Sequence, residues 1–270
     1  MVINVLFFGD VVGRIGRKAL FKHLPDLKNK YNPDLTIING ENSANGRGIT
    51  SKIYQEYISN GIDCITSGNH IYDSKEILNR MDAFPDLIRP INYPESNPGH
   101  ILFAKKIRQT PIAVLNVLGQ IFMPPTNNPF QALEQKIKNL KEEYPIVIID
   151  MHAEATSEKR ALASCFAKEQ TVSAVIGTHT HVQTADEQIL NDSVAFITDV
   201  GMVGAYQSIL GMSEDSVIER FLTNIPVRFN PPQDDDQVII NFVYLTFDET
   251  TGKAISIERK YIVEKHVDMT

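Results

Sequence analysis

Seven side chains able to hold a metal ion stand where apolar runs of this chain stop. Val5-Leu6-Phe7-Phe8-Gly9 runs into Asp10, and Leu35 through Gly40 runs into Glu41-Asn42. Cys64 through Gly68 runs into Asn69-His70, Ile146 through Met151 into His152, and Ala174 through Thr178 into His179-Thr180-His181. Short β-rich apolar runs bounded by glycine and polar residues predict buried strands. In open α/β sheets a ligand sits beyond the carboxyl ends of the strands. Residues scattered over most of the chain are therefore expected to meet at one sheet edge.

Each residue alone has an ordinary alternative. Asp10 or Glu41 could cap a helix, and His152 could be a hydrogen-bonded core histidine. In Gly177-Thr178-His179-Thr180-His181 an extended backbone would put both imidazoles on one side, because side-chain direction repeats every second residue. Together, several carboxylates so close would repel one another without cations. Asp10, Glu41, Asn42, Asn69, His152, His179 and His181 are too many donors for a tetrahedral zinc site, and thiolates are missing. The count suits two ions about 3.5–4 Å apart that share a carboxylate and a hydroxide, an arrangement that clamps a phosphoryl group. A mixed nitrogen and oxygen set favours iron, manganese or zinc over magnesium. His70 is not needed as a ligand; as an imidazolium it would protonate a departing alkoxide, acting as general acid. Glu154 could orient an imidazole from behind.

The elements needed to position these residues follow from the pattern between the runs. A helix is expected from about Gly16 to Tyr31, interrupted near Pro25. Asn42 to Gly48 is a glycine-rich loop, and Thr50 or Ser51 caps a helix through Asn60. Asp73 or Ser74 opens another. Ile101–Ile107 and Ile112–Leu118 read as strands about the turn Arg108 to Pro111. Gly119–Pro129 is long for a plain connection and reads as a lid or an oligomer contact. A helix from Phe130 to Glu143 follows. Glu187–Leu190 and Val194–Thr198 form a hairpin, Gly201–Gly211 is a second candidate active-site loop, and Ser213–Leu222 is helical. Gln237–Phe247 and Lys253–Val263 are long paired strands. One domain spanning 1–270, with a mixed sheet or two packed sheets covered by helices, is the expected organisation.

The 270 residues are 43% apolar, enough for one large core. A net charge of −7 argues against broad nucleic-acid binding, which needs clustered Lys and Arg. It leaves room for a small anionic substrate held by metal ions. Arg14, Arg17 and Arg47 lie near the expected site, where surface solvation competes with phosphate contact. Cys64 and Cys165, in apolar stretches without Cys-x-x-Cys spacing, read as small buried hydrophobes, in keeping with a reducing cytoplasm. No stretch approaches the ~20 apolar residues of a membrane span, and the N-terminal apolar run, cut short by Asp10, does not read as a signal peptide.

The motifs occur in the order found in calcineurin-like metallophosphoesterases. Phe8-Gly9-Asp10-Val11-Val12-Gly13-Arg14, Asn39-Gly40-Glu41-Asn42-Ser43-Ala44, Ser67-Gly68-Asn69-His70 and the segment from His152 to Lys159 resemble the bacterial YmdB family more closely, over about residues 3–211. The resemblance implies a four-layer α/β/β/α sandwich, a di-metal site that is often iron, and phosphodiesterase activity that includes 2′,3′-cyclic nucleotides. It places Asp10, Glu41, Asn42 and His181 on one ion. Glu41, Asn69, His152 and His179 fall on the other, and His70 becomes the proton donor. Two departures separate the chain from the wider superfamily: Val12 stands where the first motif carries histidine, and Glu41-Asn42 stands where the second carries a bridging aspartate. The YmdB family shares both. A nucleotide-binding oxidoreductase is disfavoured, because Gly9, Gly13 and Gly16 lack Gly-x-Gly-x-x-Gly spacing. A non-catalytic regulator that keeps the fold and binds RNA or protein is the remaining alternative, and the complete ligand set with His70 speaks against it.

Overall fold

The computed structural model describes residues 1–140, 142–232 and 237–265. The first half of the chain runs β1 (Val2–Val11), α1 (Gly13–Tyr31), β2 (Leu35–Asn39), α2 (Ser51–Ser59), β3 (Cys64–Thr66), α3 (Lys75–Leu78), β4 (Leu102–Ile107), β5 (Thr110–Leu118) and α4 (Pro129–Leu140). The second half runs β6 (Ile146–His152), α5 (Thr156–Glu169), β7 (Ala174–Thr178), β8 (Gln188–Leu190), β9 (Val194–Ile197), β10 (Met202–Ala205), α6 (Glu214–Thr223), β11 (Gln237–Asp248) and β12 (Ala254–Lys265). They form two six-stranded mixed sheets, ordered β12-β11-β10-β1-β2-β3 and β4-β5-β6-β7-β9-β8. No described helix is long and apolar enough to cross a membrane.

Period-2 alternation sorts the strand residues into layers. Val5, Phe7, Leu35, Ile37, Cys64, Ile146, Ile148, Ala174 and Ile176 form the core between the sheets. Leu6, Phe8, Ile38 and Ile65 face outward beneath Ile15, Leu20, Ile53 and Tyr57 of α1 and α2. Val147, Ile149 and Val175 face outward beneath Leu133, Leu162 and Phe166 of α4 and α5. The result is the four-layer α/β/β/α sandwich implied by the family resemblance. Following the inner face toward the carboxyl ends of the strands, the same alternation continues into Asn39, Thr66, Asp150, His152 and Thr178. The inner core therefore turns polar at one end, and that end is the site.

Asp10 reaches this end by a different route. It shares its parity with Leu6 and Phe8, which face the outer helices. The register of β1 on β2 shifts between Phe8 and Asp10, however, so that Asp10 pairs with Asn39. A bulge of this kind re-aims a side chain, and here it turns Asp10 inward. Gly9 makes the bulge feasible, since a Cβ on it would lie 1.9 Å from the Gly201 carbonyl oxygen.

Several expectations are corrected. Helix α1 starts at Gly13 and continues through Pro25. Pro25 is exposed, and the buried stripe Ile15, Ala19, Leu20, Leu24 and Leu27 outweighs the one lost backbone bond. The stretch Gly201–Gly211 is not all loop: β10 lies within it, parallel to the end of β1 and antiparallel to β11. The β4–β5 turn is shorter than expected, because Thr110 and Pro111 already pair with Ile107 and Lys106. Helix α4 ends at Leu140, and Lys141 within its expected continuation lies outside the described residues. Cys64 is buried but Cys165 is only partly so; both are free thiols.

Replacing Gly9 by alanine is expected to break the β1–β10 approach and to cost more than the ~1–3 kcal/mol of ordinary overpacking. Urea denaturation of G9A checks this, and an unchanged midpoint would contradict the bulge as described.

Candidate metal centre

The seven strand-end residues converge, together with His70, at the carboxyl ends of β1, β2, β3, β6 and β7. Glu41 is central. Its Oε1 lies 3.0 Å from His152 Nε2, and its Oε2 accepts the His70 amide at 2.8 Å. His152 Nε2 is 3.1 Å from His179 Nδ1. Atoms of Glu41, His152 and His179 that could hold a metal ion all fall within 4.8 Å of one another. A few ångströms away, Asn42 Nδ2 is surrounded by three acceptors: Asp10 Oδ1 at 3.3 Å, Glu41 Oε1 at 3.3 Å and His181 Nε2 at 3.2 Å. Acceptors converging on one point are what a cation requires. Asn69 Oδ1 is buried with no hydrogen-bond partner, a state that costs about 1–3 kcal/mol unless something occupies its lone pairs. A Cβ at Gly68 would meet Glu41 Oε2 and His152 Nε2, each at 2.3 Å. Only glycine lets that backbone pass so close to the cluster.

The imidazoles are oriented from behind. Thr178 Oγ1 donates to Asp150 Oδ1 at 2.6 Å and so accepts from His152 Nδ1 at 2.8 Å. That leaves Nε2 of His152 facing the cluster. Asp150 Oδ2 is held by Thr66 and Asn39. His181 Nδ1 donates to the Leu210 carbonyl at 2.9 Å, and His179 Nε2 lies 3.3 Å from Glu154 Oε2, the role considered for Glu154. Such partners fix ring orientation and raise ligand basicity.

Burial and mutual charge pull the buried groups of the cluster in opposite directions. Burial raises the Asp10 carboxyl, opposed by His181 and His152. Burial also acts to raise Glu41, but the charge and hydrogen bond of His152, with help from His70, bring it down to about 2. His152 shows the mirror image: burial acts to lower it, while Glu41, Asp10 and Asp150 carry it up to about 9. Burial and then the His152 charge push His179 down to about 3. Burial raises Asp150 to about 6 against the pull of His152 and its hydroxyl donors.

The backbone of the last motif is not extended, in contrast to the expectation. Strand β7 ends at Thr178, and His179 and His181 have φ of +99° and +66°. Positive φ is costly for residues with a Cβ and persists where surroundings enforce it. Here the His179 amide donates to Asp10 Oδ2 at 3.1 Å and the Thr180 amide to Asp199 Oδ2 at 3.0 Å. Asp199 is in turn ion-paired at 2.7 Å with Lys159, both fully buried. Lys159 and Asp199, like Asp150 and Thr178, had no role assigned from sequence. An ionisable residue inside an apolar run, as in Ile148-Ile149-Asp150-Met151, is the signal that could have found Asp150.

The cluster floors a cleft of about 1210 Å³ lined by Arg47, His70, Asp73, Leu210, Met212 and Phe229 among others. His70 Nδ1 lies 2.9 Å from Asp73 Oδ2, which Arg47 Nε approaches at 3.0 Å. Arg17 is occupied elsewhere, on Glu56 and the Ser43 carbonyl. Val12 is buried and offers no ligating atom, and beside Asp10 the Asn42 amide stands instead. Gly119–Pro129, expected as a lid or an oligomer contact, supplies none of the residues lining this cleft. Instead Glu158 and Asn92 tie the loop down, and its tip Phe122 is 91% exposed.

Residues 6–260 match the model of the YmdB-like protein family. The chain belongs to the YmdB-like family. It is 46% identical over 265 residues to a 2′,3′-cyclic-nucleotide 2′-phosphodiesterase of Bacillus subtilis, covering 98% of this chain and 99% of that protein. A crystal structure of a hypothetical protein from Thermus thermophilus superposes with a TM-score of 0.89 at 37% identity, covering 97% of this chain and 100% of that one. A crystal structure described as a novel phosphatase of Mycoplasma pneumoniae superposes with a TM-score of 0.91 at 35% identity, covering 98% and 95%. The two sheets and their flanking helices make a metallophosphoesterase-type fold.

In this YmdB-like chain Asp199→Asn would strand a buried Lys159 and is expected to cost about 3–5 kcal/mol. A double variant, Lys159→Met with Asp199→Asn, should recover much of that loss in chemical denaturation. Equal instability of single and double variants would contradict the pairing.

Proposed function

We propose that this phosphoesterase hydrolyses phosphodiesters at a two-metal centre, with small 2′,3′-cyclic nucleotides as its substrate class. The observation that carries the reading is the clustering of Glu41, His152 and His179 within 4.8 Å, next to the point where Asp10, Glu41 and His181 surround the Asn42 amide; the unpartnered Asn69 Oδ1 supports it. The 2′,3′-cyclic-nucleotide 2′-phosphodiesterase of B. subtilis, 46% identical, supports the substrate class. Asp10, Glu41, Asn42 and His181 would hold one ion; Glu41, Asn69, His152 and His179 would hold the other, with Glu41 shared. Asn42 serves by its carbonyl oxygen, which a turn of the amide presents to the point its nitrogen now marks. Iron is the first expectation from the nitrogen and oxygen donors, with manganese or zinc as the alternatives. Bound there, the ions would neutralise phosphoryl charge and lower the pKa of an attacking water. A single domain spanning 1–270 is part of the same proposal.

The chain's own residues do the rest. Thr178 and Asp150 keep the His152 ring turned with Nε2 to the centre. The Leu210 carbonyl does the same for His181. Asp73 accepts from His70 Nδ1, leaving His70 Nε2 to carry the proton that a leaving alkoxide needs. Arg47 lies at the open side of the cleft and adds positive charge where an anionic substrate enters.

Purified protein is expected to carry about two transition-metal ions per chain, as two-metal phosphatases do, and to hydrolyse bis(p-nitrophenyl) phosphate and 2′,3′-cyclic AMP. His70→Ala should keep the metal and lose about 10²–10⁴-fold in kcat. Metal-replete protein that cleaves no phosphodiester would overturn the reading, and loss of metal in H70A would overturn the role of His70.

The pH dependence of metal binding follows from His152. Raised to about 9, its ring holds a proton at neutral pH that an incoming ion must displace. Apparent affinity should therefore fall as pH drops below 9, by up to about tenfold per pH unit for each proton released. Calorimetric titration of metal-free protein in two buffers of different ionisation heat reads that release; no release at pH 7 would contradict it.

A further inference from the structure

Arg89 presents a charge that neither the fold nor the metal centre uses. It is 3% exposed, and its Nε is buried without a hydrogen-bond partner. Its one side-chain hydrogen bond among the described residues runs from Nη1 to the adjacent Pro90 carbonyl at 3.0 Å. It takes part in none of the described ion pairs. A guanidinium has five donors in a planar fork, and a buried charge left so poorly matched is expensive unless a counter-charge arrives. Arg89 is held there by its backbone: its amide donates to the His100 carbonyl at 2.8 Å, beside the bridge between Ile88 and His100.

Arg89 lines a separate cavity of about 780 Å³, between the segment 82–102 and helix α4. Lys136, His100, Asn97 and Asn127 also line it. Its two carboxylates lie on the exposed rim: Asp82 is turned to the Gly99 amide at 2.7 Å, and Glu95 faces solvent. Tyr93, on the wall, packs on Tyr72 with ring centroids 5.3 Å apart. Tyr72 itself follows His70 by two residues in the chain.

We propose that this cavity is a second binding site, for a small phosphate-bearing anion, with Arg89 as its buried anchor and Lys136 at its mouth. Arg89 offers the planar fork that matches two phosphate oxygens. Lys136 adds a mobile charge, and Asn97 and Asn127 supply uncharged polar groups for the remainder of the molecule.

Calorimetric titration of the holoenzyme with inorganic phosphate should show two classes of site, one lost when the metal is removed and one that survives. Arg89→Met should abolish the surviving class, weakening it at least tenfold, while kcat in phosphate-free buffer stays unchanged. The variant should also gain stability, since the uncompensated buried charge is gone. Lys136→Gln, on the surface and safe for folding, should weaken the same class several-fold. Adenosine monophosphate in place of phosphate separates the sources: tighter binding to the surviving class identifies a phosphomonoester, and equal binding identifies phosphate itself. A holoenzyme with only the metal-dependent class overturns the proposal, as does unchanged affinity of the surviving class in both variants.

Discussion

Burying Asp10 and Glu41 within reach of each other is the constraint around which this protein is organised. Each carboxylate taken out of water costs several kcal/mol, and their mutual repulsion adds to it. The neighbouring imidazoles can offset this only in part. Burial together with the His152 charge keeps His179 neutral, pushed down to about 3, so the cluster cannot fill itself with protons. The deficit of positive charge is what the proposed ions would make good. Much of the surrounding structure serves to hold that arrangement open: a bulge that turns Asp10 inward, a threonine and a buried aspartate behind His152, and a glycine at 68 where any side chain would collide.

The fold was legible because burial writes itself into sequence as alternation. Val5 and Phe7 face the other sheet while Leu6 and Phe8 face a helix, and a central strand therefore reads as a continuous apolar run. The site was legible for the same reason, since each run ends where its polar residue begins. What stayed hidden depends on atoms distant in sequence. Pro25 reads as a break because its missing N–H is local, whereas the helix survives through contacts of Leu24 and Leu27 with the sheet. The strand inside Gly201–Gly211 was masked by glycines whose purpose is close packing: Gly201 lies against the Gly9 backbone, and no periodicity records that.

The histidine pair shows a subtler failure. Alternation gives the right outcome, both rings serving one site, for the wrong reason. The strand has already ended, and two left-handed residues do the turning, held by Asp10 from one sheet and by the Lys159–Asp199 pair from beneath. Strain of that kind is visible only once the hydrogen bonds that enforce it are known. Asp10 carries the parallel lesson, for parity alone would have pointed it at the outer helices.

Strand β1 divides one of its edges between two partners, pairing with β11 along Val2–Phe8 and with β10 at Asp10–Val11. Those partners lie some two hundred residues further along. The edge of β1 toward β2 can pair early, but during synthesis its other edge waits until β10 and β11 have been made. Pairings that distant are slow to close and leave apolar edges open meanwhile.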